Sequence, residues 1–549
     1  MYDTTSLNAS KRELKTLISS GEEEKALDMI LDFPAPALLV QSLSEEDFYW
    51  LAQELETEDA VSIFAIAGND QWRYVVDMQV WDLDRLNMET ACHWFALLFK
   101  AAPKRFINWW LNEDIETLGL YFFNNLEVKI IEPDQDPSEL DDHFFTLDGV
   151  YYIHVFNEGH FDFVKGFLSS LAGDNHELYQ SVILNAGHIL PCETEEDAYR
   201  LRGVRLAEKG FLPFEEAIAI YQRLDHKEYV RKTAKAIKTG VSDLHPLLPY
   251  AITQKQNSLS PYLNLIEDKE TIERLQIELA GLCNQIISAD FLVAKGREVL
   301  QGVVRKAGGY LRIGLETLTE GDMPRSVEYL ETYPLNIIFR IGYGRAIELK
   351  WRADKWIRQA WFRCAGVSIK FWGEPWEGIL KGLMRKRPLF YTGLSEQEYR
   401  EFESQDDIAY CRSALDSIER LDQLFAQIGM MFQLNKDNLQ GITCKTLILT
   451  MWACYELGKD AALAPLNLED IKKFFIKLRE KKAGGFYVKE EMKDLFVSRW
   501  LTGALHIDID LLNSLSAFFT SLFNELEDEY RLVSHNDLDQ RFIKLFWLG

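Results

Sequence analysis

Between Phe33 and Phe123 the chain repeats one pattern: a residue able to cap, a few acids, then apolar positions at helical spacing. Ser44-Glu45-Glu46-Asp47, Thr57-Glu58-Asp59, Asn69-Asp70-Gln71 and Asn87-Met88-Glu89 each offer a side-chain oxygen to free amides, with acids where the helix dipole favours them. Pro103 fits the first turn of a fifth helix. The starts lie roughly 12 to 18 residues apart, which leaves about three turns per helix and a tight corner between neighbours. Helices this short are marginal alone, so they must stack, and the pattern predicts a superhelical array. Residues 4–31 lead into it as two polar helices parted at Ser19-Ser20-Gly21.

The period then shortens to two. Leu126–Ile131 alternates like a strand, and Phe144–Leu147 and Val150–Phe156 flank Asp148-Gly149, a hairpin turn whose two positions tolerate positive φ. An acidic loop, Pro133–Asp142, separates these runs, and helix resumes near Gly159. Glu196–Lys209 and Glu215–Leu224, parted by Gly210 and Pro213, read as a helical hairpin in which Leu201, Gly203, Leu206, Gly210, Ala217 and Tyr221 resemble one tetratricopeptide repeat. Further helices are predicted over Thr271–Ser288, Leu335–Arg363, Asp406–Gln433, Gly441–Gly458, Leu468–Lys482 and Leu511–Tyr530, with a corner at Gly484-Gly485. The expected fold is mainly α. It comprises an acidic helical-repeat array (1–125), a β-insertion with the acidic loop (126–158), helical hairpins (159–257), a helical lobe with a basic Trp-rich stretch (258–394) and a C-terminal helical lobe (395–549).

Composition adds two constraints. With 47% apolar and 27% charged residues, 14 Trp and 33 Phe, the 549-residue chain is globular and packed by large side chains. The net charge of −26 is concentrated: residues 1–150 hold 10 Lys/Arg against 30 Asp/Glu, and the remainder 50 against 56. The N-terminal part should therefore avoid nucleic acid and anionic membranes, its charge serving solubility. Seven scattered cysteines without a Cys-x-x-Cys read as reduced thiols in helix cores. Met1-Tyr2-Asp3 does not begin a secretion signal, and the apolar run Leu447–Tyr455 is about half of the roughly 20 residues a membrane span needs. A cytoplasmic, soluble protein is expected.

Candidate chemistry is sparse. Asp134, Asp136 and Ser138 start like a calcium loop, but Glu139 stands where Gly is needed and Phe145 where the last carboxylate belongs, so a solvated linker is favoured. His154, Glu158, His160 and Asp162 are the densest His/carboxylate cluster, read as structural in preference to metal-binding. The chain has no Gly-x-Ser-x-Gly, no His-Glu-x-x-His and no phosphate-binding Gly-x4-Gly-Lys, and Gly342-Tyr343-Gly344 reads as a helix boundary. No catalytic, cofactor or metal residue is assigned, and no cofactor is expected. The informative stretch is Arg340–Arg387, with 12 Lys/Arg against 4 Asp/Glu and five Trp. At about 100° per residue its first helix carries a basic stripe, while Trp351, Trp356 and Trp361 step by about 140° and so surround the helix. Arg345, Arg352, Lys355, Trp356 and Arg363 form the candidate interaction surface, with Trp356 alone beside the stripe and most Trp in the core. Its expected partner is an acidic protein surface, most simply the protein's own N-terminal array, within one molecule or between copies; nucleic acid is disfavoured.

Two resemblances bear on this reading. Leu39-x3-Leu43-Ser44-x-Glu46-Asp47-x3-Leu51 with Leu55-x-Thr57-Glu58-Asp59-Ala60 is similar to the cytosolic N-terminal helical domain of bacterial magnesium transporters, over residues 33–123. The transmembrane part of such transporters has no counterpart here, so transport is not implied. Phe145–Ile153, the Tyr199–Tyr221 hairpin, Gly309–Glu316 and Pro388–Leu394 resemble an uncharacterised bacterial family, a domain of unknown function, which implies no activity or site residues. The function expected from all this is a protein–protein interaction scaffold. The alternatives are an enzyme whose site assembles from distant residues, or a nucleic-acid-associated protein using residues 340–387.

Overall fold

Capping chemistry sets the helix starts in the computed structural model as it does in the sequence. The structure describes all residues except 1–3, 21, 56, 83, 114, 132–142, 187–190, 225–247, 257, 293–296, 396, 433, 435–438, 440 and 460–463. Among the described residues the first helices are α1 Thr4–Ser20, α2 Glu23–Asp32, α3 Pro36–Gln41, α4 Glu45–Glu54, α5 Thr57–Ile66, α6 Asn69–Gln79, α7 Met88–Ala101, α8 Pro103–Glu113 and α9 Ile115–Asn125. Ser44 Oγ accepts the Asp47 amide (3.2 Å) at α4, and Asn87 Oδ1 accepts the Thr90 amide (3.1 Å) at α7. Pro103 begins α8. Two helices had not been expected, α3 and α9, and neither opens on the cap-and-acid pattern.

The array's packing rule follows from helix length. Three-turn helices cannot bury a full face against one neighbour, and α3 packs on α5, α4 on α6 and α5 on α7, each helix resting on the one two places along. Phe48, Phe64, Trp72, Phe95 and Trp110 fill the resulting core. Gln71 ties the corners: its Oε1 accepts the Gly68 amide (2.8 Å), and its Nε2 donates to the carbonyls of Val40 (2.9 Å) and Leu43 (3.0 Å). Leu51 is fully buried, whereas Leu55 ends α4 half-exposed.

A short hairpin, β1 Trp81–Asp82 with β2 Arg85–Leu86, sits before α7 and was not anticipated. The expected β-insertion forms as β3 Leu126–Ile130, β4 Phe145–Thr146 and β5 Tyr151–Val155, in antiparallel order β3-β5-β4, with Val128 and Phe145 both opposite Ile153. Gly149 takes φ +75°, and Asp148 Oδ1 accepts the amides of Val150 and Tyr151, which closes the turn. The acidic loop, Pro133–Asp142, lies outside the described residues.

The chain divides into two compact units, residues 1–342 and 343–549. In the first, the helix expected at Glu196–Lys209 runs over Pro191–Glu208, with Gly210 at φ +87° beyond it. It packs against α9 and β2. Its expected partner helix is reduced to one turn, Phe214–Ala217, and a 3-10 turn, Ile218–Tyr221, both packed on helix Lys269–Asp290. Gly342 is not a helix boundary. It lies inside helix Leu335–Gln359 where that helix crosses helix Arg297–Thr319, and a Cβ there would collide with the Tyr310 carbonyl oxygen. Gly314 makes the reciprocal approach to Ile338. The pair of glycines lets two backbones touch, the physical reason for glycine at both positions.

The second unit is built around helix Cys444–Glu456, where Leu447, Ile448, Leu449, Trp452 and Ala453 are all buried. Helix Leu468–Leu478 packs against it, Phe523 of helix Ser516–Tyr530 meets Trp452 edge-on, and the long helix Gln405–Phe432 belongs to the same unit. The helix expected to reach Lys482 stops at Leu478, and Arg479–Lys482 pairs as a strand with Gly485–Val488 around the Gly484-Gly485 corner. Among the described residues no helix is long and apolar enough to cross a membrane. All seven cysteines are free; five are buried, but Cys192 and Cys364 are exposed, at sites where no core surrounds them.

Candidate interaction surface

Helix Leu335–Gln359 carries most of the candidate residues, and its end is set by a carboxylate from elsewhere. The predicted helix to Arg363 breaks at Ala360 (φ −65°, ψ 143°), and the short helix Trp361–Cys364 follows. Asp422, buried on helix Gln405–Phe432, accepts the amides of Trp361 (3.0 Å) and Phe362 (3.2 Å). Burial pushes this carboxyl's pKa up, while the two amides work the other way. The break leaves Arg363 exposed off the axis of the stripe.

The stripe is divided by its partners. Arg352 makes a forked contact with Glu419 (2.8 and 2.9 Å) and a further bond to Asp416 (2.5 Å), both on Gln405–Phe432. These acids hold the guanidinium firmly charged, the Glu419 hydrogen bonds most of all. Arg345 pairs with Glu348 one turn along (2.8 Å). Trp356 is half-buried with its ring against Phe362 and Trp372, at centroid distances of 5.5 and 6.0 Å. Lys355 remains exposed.

Trp351, which the helical spacing sets off the stripe, is 53% exposed. On the same helix Lys355 and Arg358 follow at i+4 and i+7, within about 40° of it, and both are exposed. This face joins a solvated indole to two cations. The signal that could have found it is the run Trp351, Lys355, Arg358, Gln359, polar apart from the Trp.

The charges of the first unit behave differently. Asp77, buried on α6, receives a fork from Arg205 (2.8 and 2.6 Å), and its backbone oxygen receives Arg202 (2.6 Å). Lys209 bridges to Glu45 (2.7 Å) and lies 3.9 Å from Glu46, whose side chain is buried. These contacts fasten helix Pro191–Glu208 and its end to the array. Desolvation raises the Glu46 pKa to about 7, with Lys209 opposing the shift.

His154 and His160 are kept apart by the fold. His154 faces outward on β5 with its ring near Phe144 and Phe156, and Glu127 at 3.9 Å. His160 is buried, its Nδ1 2.7 Å from Asn125 Oδ1 and its Nε2 3.4 Å from Glu89. Among the described residues no group of three or more His, Cys, Asp or Glu is arranged to hold a metal ion.

No curated protein and no solved structure matches the chain. A family model, in contrast, covers almost all of it. The chain belongs to a family of unknown function, DUF6178, whose model matches residues 4–549.

Proposed function

We propose that the protein is a cytoplasmic protein–protein interaction scaffold, and that the face Trp351, Lys355, Arg358 docks an acidic protein surface. The observation that carries this is the exposure of Trp351 between two exposed cations on one helix face. A large aromatic is seldom left in water, and Trp and Arg are the residue types that dominate binding hot spots. The Arg352 guanidinium is engaged by Asp416 and Glu419, so in this reading it braces the helix and leaves docking to its neighbours. The N-terminal 150 residues, carrying 20 more acids than bases, make a second copy of the chain the simplest acidic partner.

The test is sedimentation velocity on the full chain at low and high salt. Exposed pairs are each worth at most about 1 kcal/mol and are screened beyond roughly 8 Å at physiological salt, so the association should be weak and salt-sensitive. Self-association lost with Lys355→Glu plus Arg358→Glu, and weakened with Trp351→Ala, supports the reading. A monomer at every salt concentration removes the second copy as partner. A wild-type chain that binds RNA through the same three residues removes the protein-partner reading altogether.

A further inference from the structure

The second unit carries a half-open cleft of about 460 Å³ that is independent of the docking face, sharing none of its residues. This volume lies within the roughly 300–1,000 Å³ typical of small-molecule sites. Its wall is built from Met431, Met451, Cys454, Trp500, Ala504 and Trp547, among others. Thioethers, a thiol and two indoles form a polarisable lining suited to flat, carbon-rich rings. At the end of helix Gln405–Phe432, the half-solvated Met431 gives the cleft an adaptable apolar lip.

The backbone of this wall is unusual. Phe496–Ala504, which supplies Trp500 and Ala504, is a nine-residue π-helix, a conformation that is rare and concentrated at functional sites. Widening the helix by one residue per turn shifts the side chains that follow it around the axis, and here Trp500 and Ala504 both reach the cavity wall.

The polar groups of the wall determine what charge a ligand carries. Thr450 Oγ1 donates to the Thr446 carbonyl (2.7 Å) and accepts the Trp547 amide (2.9 Å), so it is already engaged in both directions. The Lys459 ammonium is paired with Asp470, which also accepts the Asn467 amide (3.1 Å). Burial pushes the Cys454 thiol up, so it stays protonated. Among the described residues the wall therefore offers neither an unpaired cation for an acid nor a free carboxylate for a base.

We infer that this cavity is a binding site for an uncharged, ring-containing lipophilic small molecule, held between Trp500, Trp547, Met431 and Met451. Titration of the full-length protein with the neutral fluorophore N-phenyl-1-naphthylamine tests it. Saturable binding at one site per chain is expected. Ala504→Phe, which fills the cavity from its exposed rim, should weaken that binding by about tenfold or more with an unchanged melting temperature. If Ala504→Phe does not fold, Ala464→Phe, at another exposed residue of the wall, should give the same loss. Absence of saturable binding by the wild-type chain, or equal affinity in the folded occluded variant, overturns the site. An anionic anilinonaphthalene sulfonate that competes as tightly as the neutral dye overturns the charge assignment.

Discussion

The array and the helix Leu335–Gln359 use charge in opposite ways. In the first unit the decisive ions are buried: Asp77 under Arg205 and Arg202, and Glu46 near Lys209. In the second, Arg352 is part-exposed over Asp416 and Glu419, and Lys355 and Arg358 face water beside Trp351. A buried ion must be matched because its lost hydration amounts to several kcal/mol, so its partner is dictated by the fold. A solvated ion is nearly free of that constraint, and is left available for something outside the chain. The first set holds helices together; the second set is where recognition can be added without disturbing the fold.

Asp77→Ala breaks the contrast at its strongest point. It leaves Arg205 facing a buried site without its carboxylate, while the Arg202 bond to the backbone oxygen is kept, and a loss of about 3–5 kcal/mol is expected in denaturant unfolding. Leu51→Ala should cost about 2–5 kcal/mol, because α4 relies on a helix two places along, while half-exposed Leu55→Ala should cost less than about 1 kcal/mol. Equal losses would mean that the two leucines share one environment.

Glu46 sharpens the comparison through pH. Its folded pKa, about 7, lies above its ordinary 4.5, so the folded state holds this proton more tightly than the unfolded state. The stability it contributes is greatest below the ordinary value and is lost as pH rises towards 7. Glu46→Gln keeps the shape without the titration. Relative to wild type it should gain on the order of 3 kcal/mol between about pH 4 and about pH 8, read from unfolding midpoints. A difference that does not change with pH would place the charge in water. Arg352→Ala, at the other extreme, should lower stability by at most about 1 kcal/mol.

Local chemistry was legible in the sequence. Ser44, Asn87, Pro103 and Asp148-Gly149 act within four residues of themselves, and each stands where its pattern placed it. Long-range geometry was not legible. A helical wheel gives the angle between Trp351 and Trp356 but not which of them faces the core, and the core here covers Trp356 and leaves Trp351 in water. Arg352 finds its acids 64 and 67 residues away, and the end of its helix is fixed by Asp422, 61 residues beyond Trp361. Gly342 looked like a boundary because glycine often ends helices; it is needed instead for a backbone crossing with Tyr310 that no local pattern encodes. Arg479–Lys482 continues an amphipathic helix in sequence, and only its pairing with Gly485–Val488 makes it a strand.

The most direct measurement places a photo-crosslinking phenylalanine analogue at position 351 in the full chain, in native cells, with the same analogue at exposed Leu394 as control. Mass spectrometry of the crosslinked products identifies what lies against the face. The expected result is crosslinks specific to position 351 that map to acidic protein segments, this chain's own N-terminal 150 residues among them. Crosslinks to RNA, or a product pattern identical to that from position 394, would contradict the interaction surface.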